Sequence, residues 1–163
     1  MLDRPRAAVY LVTGASGFLG RPLLDALAGS SNSPFRIVTV GRRRPTDWPA
    51  DSFIQGDLTN LESVRAVIEE ADPAVVFHLA GRTPPADPGA LYESNSVATA
   101  LLLDALRERG RPARVVLAGS AAELGPVAVE ALPVDESHPC RPESPYGLSK
   151  WLASCAGLAA RLG

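Results

Sequence analysis

Apolar positions along the chain follow two repeats in alternation. Short, β-branched or apolar runs occur at residues 7–12, 35–40, 53–55, 74–79 and 113–118. Runs of this length and composition, bounded by Gly, Pro and Asp, predict strands buried on both faces. Between them the apolar residues recur at helical spacing. Phe18, Leu19, Leu23, Leu24 and Leu27 mark a first helix. Leu61, Val64, Val67 and Ile68 mark a second, capped by Thr59 or Asn60 and broken after about Glu70 by Asp72-Pro73. Leu91, Val97, Leu101, Leu102 and Leu106 predict a long helix from Leu91 to about Arg109, stopped by Gly110-Arg111-Pro112. Loops join these segments, one of them the small-residue stretch G-S-S-N-S-P at 29–34 and another the three-proline stretch at 81–89. A loop follows the fifth strand. Ser144-Pro145 then reads as an N-cap followed by proline at the first helical position, opening a helix with Tyr146, Lys150, Leu152, Leu158 and Leu162.

Strands that alternate with helices imply parallel pairing through right-handed crossovers. The expectation is an α/β fold: a doubly wound, mostly parallel sheet of five strands with helices on both faces, forming one domain over residues 1–163. One residue resists this reading. If the first helix starts near Gly17, Pro22 removes an early N–H bond and disturbs the second turn.

The stretch V-Y-L-V-T-G-A-S-G-F-L-G over 9–20 carries the first chemical signal. A strand, a glycine turn and a helix in succession present free backbone N–H groups to a phosphate. Gly14 permits the tight turn, Gly17 lets the main chain approach a pyrophosphate, and Gly20 lets the helix sit close to the strand.

Composition narrows the classes. The 163 residues are 46% apolar and 21% charged, with a formal net charge of −2. That balance fits a globular protein and gives no basic footprint for nucleic acid. No apolar run reaches a membrane span, and residues 1–6 lack the apolar centre of a signal peptide. Cys140 and Cys155 are too few and too irregular for a disulfide framework or a metal site, so a cytoplasmic location with no bound metal is expected. The cations are fifteen arginines and one lysine, Lys150. A position that takes the only lysine draws interest for what a compact ammonium does differently.

Tyr146 and Lys150 are four residues apart and share a helical face. A neighbouring ammonium favours a phenolate, and the positive end of the helix dipole acts in the same sense. Such a tyrosine exchanges a proton with a substrate hydroxyl while hydride moves to or from a nicotinamide. Ser120 follows the fifth strand in L-A-G-S-A-A-E-L-G. In open α/β sheets ligands bind beyond the carboxyl ends of the strands, where Ser120 could align a substrate oxygen with Tyr146. The alternatives are an incidental helical pair and a serine making a local turn bond.

Taken together, these stretches resemble the extended short-chain dehydrogenase/reductase family, the NAD(P)-dependent nucleotide-sugar epimerases, dehydratases and reductases. The resemblance implies a Rossmann-type NAD(P)-binding fold. T-G-A-S-G-F-L-G resembles the family's cofactor turn and implies cofactor contacts from Gly14, Ser16, Gly17, Phe18, Leu19 and Gly20. Gly56-Asp57-Leu58 is similar to its adenine-contacting stretch, implying Asp57 and Leu58. His78-Leu79-Ala80-Gly81 resembles the stretch beside the cofactor, implying Leu79, Ala80 and Gly81. Asn95 matches the asparagine that opens the fourth-helix motif and is included among the cofactor residues. Ser120, Tyr146 and Lys150 map onto the catalytic serine or threonine and the Y-x-x-x-K pair, with Tyr146 and Lys150 also facing the cofactor.

Charge at the end of the second strand bears on cofactor choice. An acid there bonds the ribose 2′-hydroxyl of NAD. This chain has Gly41 followed by Arg42, Arg43 and Arg44. Guanidinium groups suit a 2′-phosphate, so Arg42 is assigned to the cofactor and NADP(H) is preferred, with NAD(H) possible.

The chain departs from the family mainly in length. Extended members run to about twice this size and add further strands and a C-terminal substrate-binding region, which is not found in residues 1–163. Smaller departures are Ala98 and Leu101 in the fourth-helix motif and Leu124 before Gly125. The fifth strand, with Val115-Val116-Leu117, then becomes an apolar edge of the kind that recruits a partner or a second copy. Three readings follow: an NADP(H)-dependent oxidoreductase, epimerase or dehydratase acting on a sugar-nucleotide or similar hydroxyl or keto substrate, its remaining half coming from a partner chain or from a longer parent chain; a cofactor-binding module without turnover; and an interaction module that uses the open edge, with a dimer or a covering partner expected there.

Overall fold

The computed structural model describes residues 7–29, 35–44, 48–49 and 52–162. The expectations for residues 1–6, for the loop at 30–34 and for Pro45 lie outside them. Five strands, β1 (Ala8–Thr13), β2 (Phe35–Gly41), β3 (Phe53–Gln55), β4 (Val75–His78) and β5 (Arg114–Leu117), form one parallel sheet in the order β3-β2-β1-β4-β5. The chain runs outward from β1 to β3, then crosses back to β4. The two crevices on either side of this reversal meet at the carboxyl end of β1.

The sheet is covered on both faces because successive side chains of a strand point to opposite sides. Leu11 and Val12 are both fully buried, yet they belong to different cores. Leu11 joins Val38, Val64, Ile68, Val76 and Leu102, beneath α2 (Leu61–Ala71) and α4 (Ala98–Glu108). Val12 joins Ala15 and Leu24 beneath α1 (Gly20–Ala28), with Trp48, Phe77 and Leu79 packed around them. The last helix, α5 (Pro145–Leu162), lies against α4.

Local chemistry explains the ends of the elements. Asn60 caps α2 by accepting from the Ser63 N–H at 2.9 Å. Asp72 ends that helix in a left-handed conformation, φ 43°. Ser144 caps α5 by accepting from the Gly147 N–H at 3.0 Å, with Pro145 first in the helix. The disturbance expected at Pro22 does not arise. The helix begins at Gly20, so Pro22 falls in the first turn, where N–H groups have no intrahelical partner to lose.

The long helix expected from Leu91 starts earlier and is not uniform. Asp87 caps a short α3 (Pro88–Leu91), accepting from the Gly89 N–H at 2.8 Å. A π-helical turn over Tyr92–Val97 follows before α4. Such widened turns place side chains off the regular helical face and recur at functional sites.

Candidate active site

A cleft of about 760 Å³ opens at the carboxyl ends of the strands. Its lining draws on five separate stretches: the turn after β1, the end of β2, the turn after β3, the stretch after β4, and the π-helical turn with the start of α4. Gly14, Ser16, Gly17, Arg42, Asp57, Leu58, Leu79, Ala80 and Gly81, all singled out from the sequence, come together there.

The turn after β1 is shaped by missing side chains. Gly14 has φ +67°, and a Cβ on it would sit 2.6 Å from the Ala80 nitrogen. A Cβ on Gly20 would overlap the Gly14 carbonyl and Ala15, so Gly20 packs the helix start against the turn itself. Gly17 donates its N–H to the Gly14 carbonyl at 2.9 Å. A Cβ there would meet only that oxygen, at 3.1 Å, among non-neighbouring atoms. The main chain at Gly17 is therefore bare towards the cleft. These features fit a dinucleotide, whose pyrophosphate needs close main-chain approach at a helix start. Phe18 and Leu19 do not line the cleft; they are 93% and 56% exposed.

A buried polar chain is tied to the cleft through Ala80. Thr13 and His78 are register partners on β1 and β4. Thr13 Oγ1 accepts from the Ala80 N–H at 3.0 Å and bonds His78 Nδ1 at 2.9 Å. His78 Nε2 bonds Thr99 Oγ1 at 3.0 Å, and that hydroxyl donates to the Asn95 carbonyl at 2.6 Å. With the proton of Thr99 committed to the carbonyl, His78 Nε2 must donate, and in the neutral ring Nδ1 then accepts from the Thr13 hydroxyl. Burial pushes the His78 pKa down to about 4, and the Lys150 charge acts in the same direction.

Two arginines, Arg42 and Arg43, line the cleft just past the end of β2 at Gly41. Opposite them, Asp57 Oδ1 accepts from the Thr59 N–H at 3.0 Å and from the Thr59 hydroxyl at 2.8 Å. Those bonds hold its carboxyl below the usual range, with a smaller contribution from Arg42. Arg43, named in the arginine run but not assigned to the cofactor, also lines the cleft, as do Arg82, Glu93 and Ser94, which sequence reasoning passed over. The first extends the arginine run; the others depend on how the helix after β4 is wound.

Asn95 lies under the cleft and is 1% exposed. Its Oδ1 accepts from the Arg82 N–H at 2.7 Å, and its Nδ2 donates to the Arg82 carbonyl at 3.0 Å and to Ser149 Oγ at 2.9 Å. Ser149 Oγ donates onward to the Tyr146 carbonyl at 2.8 Å. The Asn95 amide is thus occupied by its own chain, joining the rim of the cleft to the first turns of α5.

Ser120, Tyr146 and Lys150 are not among the residues that line this cleft; they lie on the turn after β5 and on the first turns of α5. Lys150 Nζ donates to the Ala118 carbonyl at 2.5 Å. Burial lowers the pKa of this ammonium, and Glu123 acts against that shift. Ser120 Oγ accepts from the Ala122 N–H at 3.2 Å, which leaves its hydroxyl proton free to donate. Gly147 packs against the Ala122 carbonyl, where a Cβ would overlap it. That contact seats the first turn of α5, with Tyr146, against the turn that Ser120 opens. A phenol and an ammonium one helical turn apart, beside a serine hydroxyl, can relay a proton at a carbinol or carbonyl.

Among the described residues no three potential ligands cluster to hold a metal, and no helix is long and apolar enough to cross a membrane. Residues 10–161 match the NAD dependent epimerase/dehydratase family. The chain is 34% identical over 146 residues to GDP-6-deoxy-D-mannose reductase of Pseudomonas aeruginosa, spanning 87% of this chain and 43% of that one. It is similar to the structure of RMD from Pseudomonas aeruginosa complexed with NADPH (30% identity, TM-score 0.75), covering 98% of this chain and 50% of that one. UDP-glucose 4-epimerase from Brucella ovis in complex with NAD gives 26% identity and a TM-score of 0.82, with 96% and 49% covered. The chain spans about half the length of these relatives.

Proposed function

The chain belongs to the NAD dependent epimerase/dehydratase family, and on that premise we propose that it binds NADP(H) and acts on a hydroxyl or keto group of a sugar-nucleotide-like substrate. The observation that carries this reading is the cleft. Bare main chain at Gly14 and Gly17 shares it with Arg42 and Arg43 past β2, and Lys150 is tied to the Ala118 carbonyl just after β5. The relatives support the substrate class: one is a GDP-6-deoxy-D-mannose reductase and another a UDP-glucose 4-epimerase.

The bound nicotinamide would supply or accept the hydride. The rest falls to this chain. The N–H groups of the turn after β1 hold the pyrophosphate, and Asp57 and Leu58 flank the adenine end. Arg42 and Arg43 receive a 2′-phosphate through charge-assisted bonds. Tyr146 moves the proton at the substrate oxygen, Lys150 stabilises its phenolate, and the free Ser120 hydroxyl donates to that same oxygen.

Fluorescence titration is the direct test. NADPH should bind more tightly than NADH, and Arg42→Ala together with Arg43→Ala should reduce the preference by about tenfold or more, the equivalent of one charge-assisted bond. Tighter binding of NADH would overturn the assignment of the arginines.

A second reading, a cofactor-binding module without turnover of its own, is favoured by one observation: the cleft is lined by the stretches assigned to the dinucleotide, and Ser120, Tyr146 and Lys150 are not among its lining residues. With sugar nucleotides as trial substrates, turnover abolished by Tyr146→Phe with NADPH binding unchanged supports the enzyme. Binding without turnover supports the module.

A further inference from the structure

Glu123 was not among the residues the sequence singled out, yet its carboxylate is buried at the centre of the second half of the site, with the residue 8% exposed. One oxygen accepts from the Ser120 N–H at 2.7 Å, closing a capping box around the turn Ala121–Glu123. The other accepts from Ser154 Oγ at 2.7 Å. Ser154 lies four residues after Lys150 on α5, so the two share one helical face. Glu123 therefore holds Ser120 with one oxygen and the lysine-bearing face of α5 with the other. No cation of the described residues lies within salt-bridge range of it, so the charge is not neutralised by contact.

We infer that Glu123 is a positioning residue of this site: it sets the serine hydroxyl against the lysine helix and serves as the counter-charge for the Lys150 ammonium. The inference rests on the reading of Ser120 and Lys150 given above. Its physical basis is a mismatch between what the fold needs and what the chain supplies. A glutamine in the same place could accept from the Ser120 N–H and donate to Ser154, satisfying both bonds. Burying a carboxylate without a contact cation is unfavourable, a cost that a neutral amide would avoid. What only the carboxylate adds is negative charge, and the ammonium beside it loses solvation through burial. The titratable groups facing Lys150 are Glu123 on the turn after β5, His78 on β4 and Tyr146 on α5. His78 is neutral above its depressed pKa of about 4, and a phenol carries no charge until ionised. Of the three, Glu123 is the one whose charge opposes the effect of burial on the Lys150 ammonium.

Because Lys150 is the only lysine, isotopic labelling of lysine gives a single side-chain NMR signal, whose pH titration reads this ammonium directly. In Glu123→Gln the titration midpoint should fall by about one pH unit, with the circular dichroism spectrum retained. Ser154→Ala, which keeps the charge but cuts its tie to α5, should move the midpoint in the same direction by a smaller amount. It also serves if the glutamine variant fails to fold. A midpoint unchanged in the variants that fold overturns the inference. NADPH binding is measured on the same samples: its absence from the unmodified chain ends the proposed function while leaving the Glu123–Lys150 coupling to be judged by the titration alone.

Discussion

Gly14 shows how much one residue decides. Its positive φ and its contact with Ala80 and Leu79 admit no side chain. Gly14→Ala combines a left-handed backbone penalty with a clash against main chain that cannot rotate away. It should cost about 2 kcal/mol or more in urea denaturation and abolish dinucleotide binding. His78 makes a prediction of a different kind. Unfolded, its imidazole titrates near 6.5; folded, at about 4. Between these values the unfolded chain binds more protons, so stability is full above pH ~6.5 and falls as the pH drops towards 4. The loss attributable to this one group approaches about 3 kcal/mol. Urea midpoints measured from pH 7.5 to 4.5 should stay level at first and then decline. A level profile throughout would mean that the imidazole is not buried in its neutral form. Thr13 and Ser120 were readable as polar residues at strand ends, but not the bonds they make. Thr13 meets His78 through strand register across 65 residues, and no local pattern encodes that pairing.

Elements were legible where the chain carries its own punctuation. Asn60, Asp72-Pro73, Gly110 and Ser144-Pro145 all mark helix ends, and the helices end there. Two substitutions separate local from positional effects. Asn60→Ala removes the bond to the Ser63 N–H and should cost about 1 kcal/mol in thermal or urea unfolding. Pro22→Ala should change stability by under about 1 kcal/mol, because the third residue of α1 lies in the first turn, where proline is tolerated. A loss near the ~3 kcal/mol of an interior proline effect would contradict that placement. The π-helical turn at Tyr92–Val97 lay beyond the periodicity argument. Its apolar residues at Leu91, Val97 and Leu101 fit an ordinary helix. The extra residue per turn goes with polar tethers reaching outside the helix: Asn95 to Arg82 and Ser149, and Ser96 Oγ to the Ser149 carbonyl at 2.9 Å.

At the scale of the whole molecule, the sheet is shielded on both faces and, among the described residues, ends in two edge strands, β3 and β5. No described strand pairs with the outer edge of β5, and Val116 is 42% exposed there. An unprotected apolar edge favours association with a second copy. Sedimentation should therefore show self-association that rises with concentration, and Val116→Lys should shift it towards monomer; a chain monomeric at all concentrations would remove that expectation.

The amino-acid order alone determined the alternation of strands and helices, and with it a parallel sheet, because short β-branched runs can be joined in parallel only through long crossovers. It also marked the tight turn after β1, since Gly14, Gly17 and Gly20 act through what they lack. Tertiary structure alone decided which polar groups share a proton or a charge: Thr13 with His78, Asn95 with Ser149, and Glu123 with Ser120 and Ser154. Those pairs join residues up to 65 positions apart, and their partners are fixed by strand register and by how α5 seats on its neighbours, which no window of neighbouring residues contains.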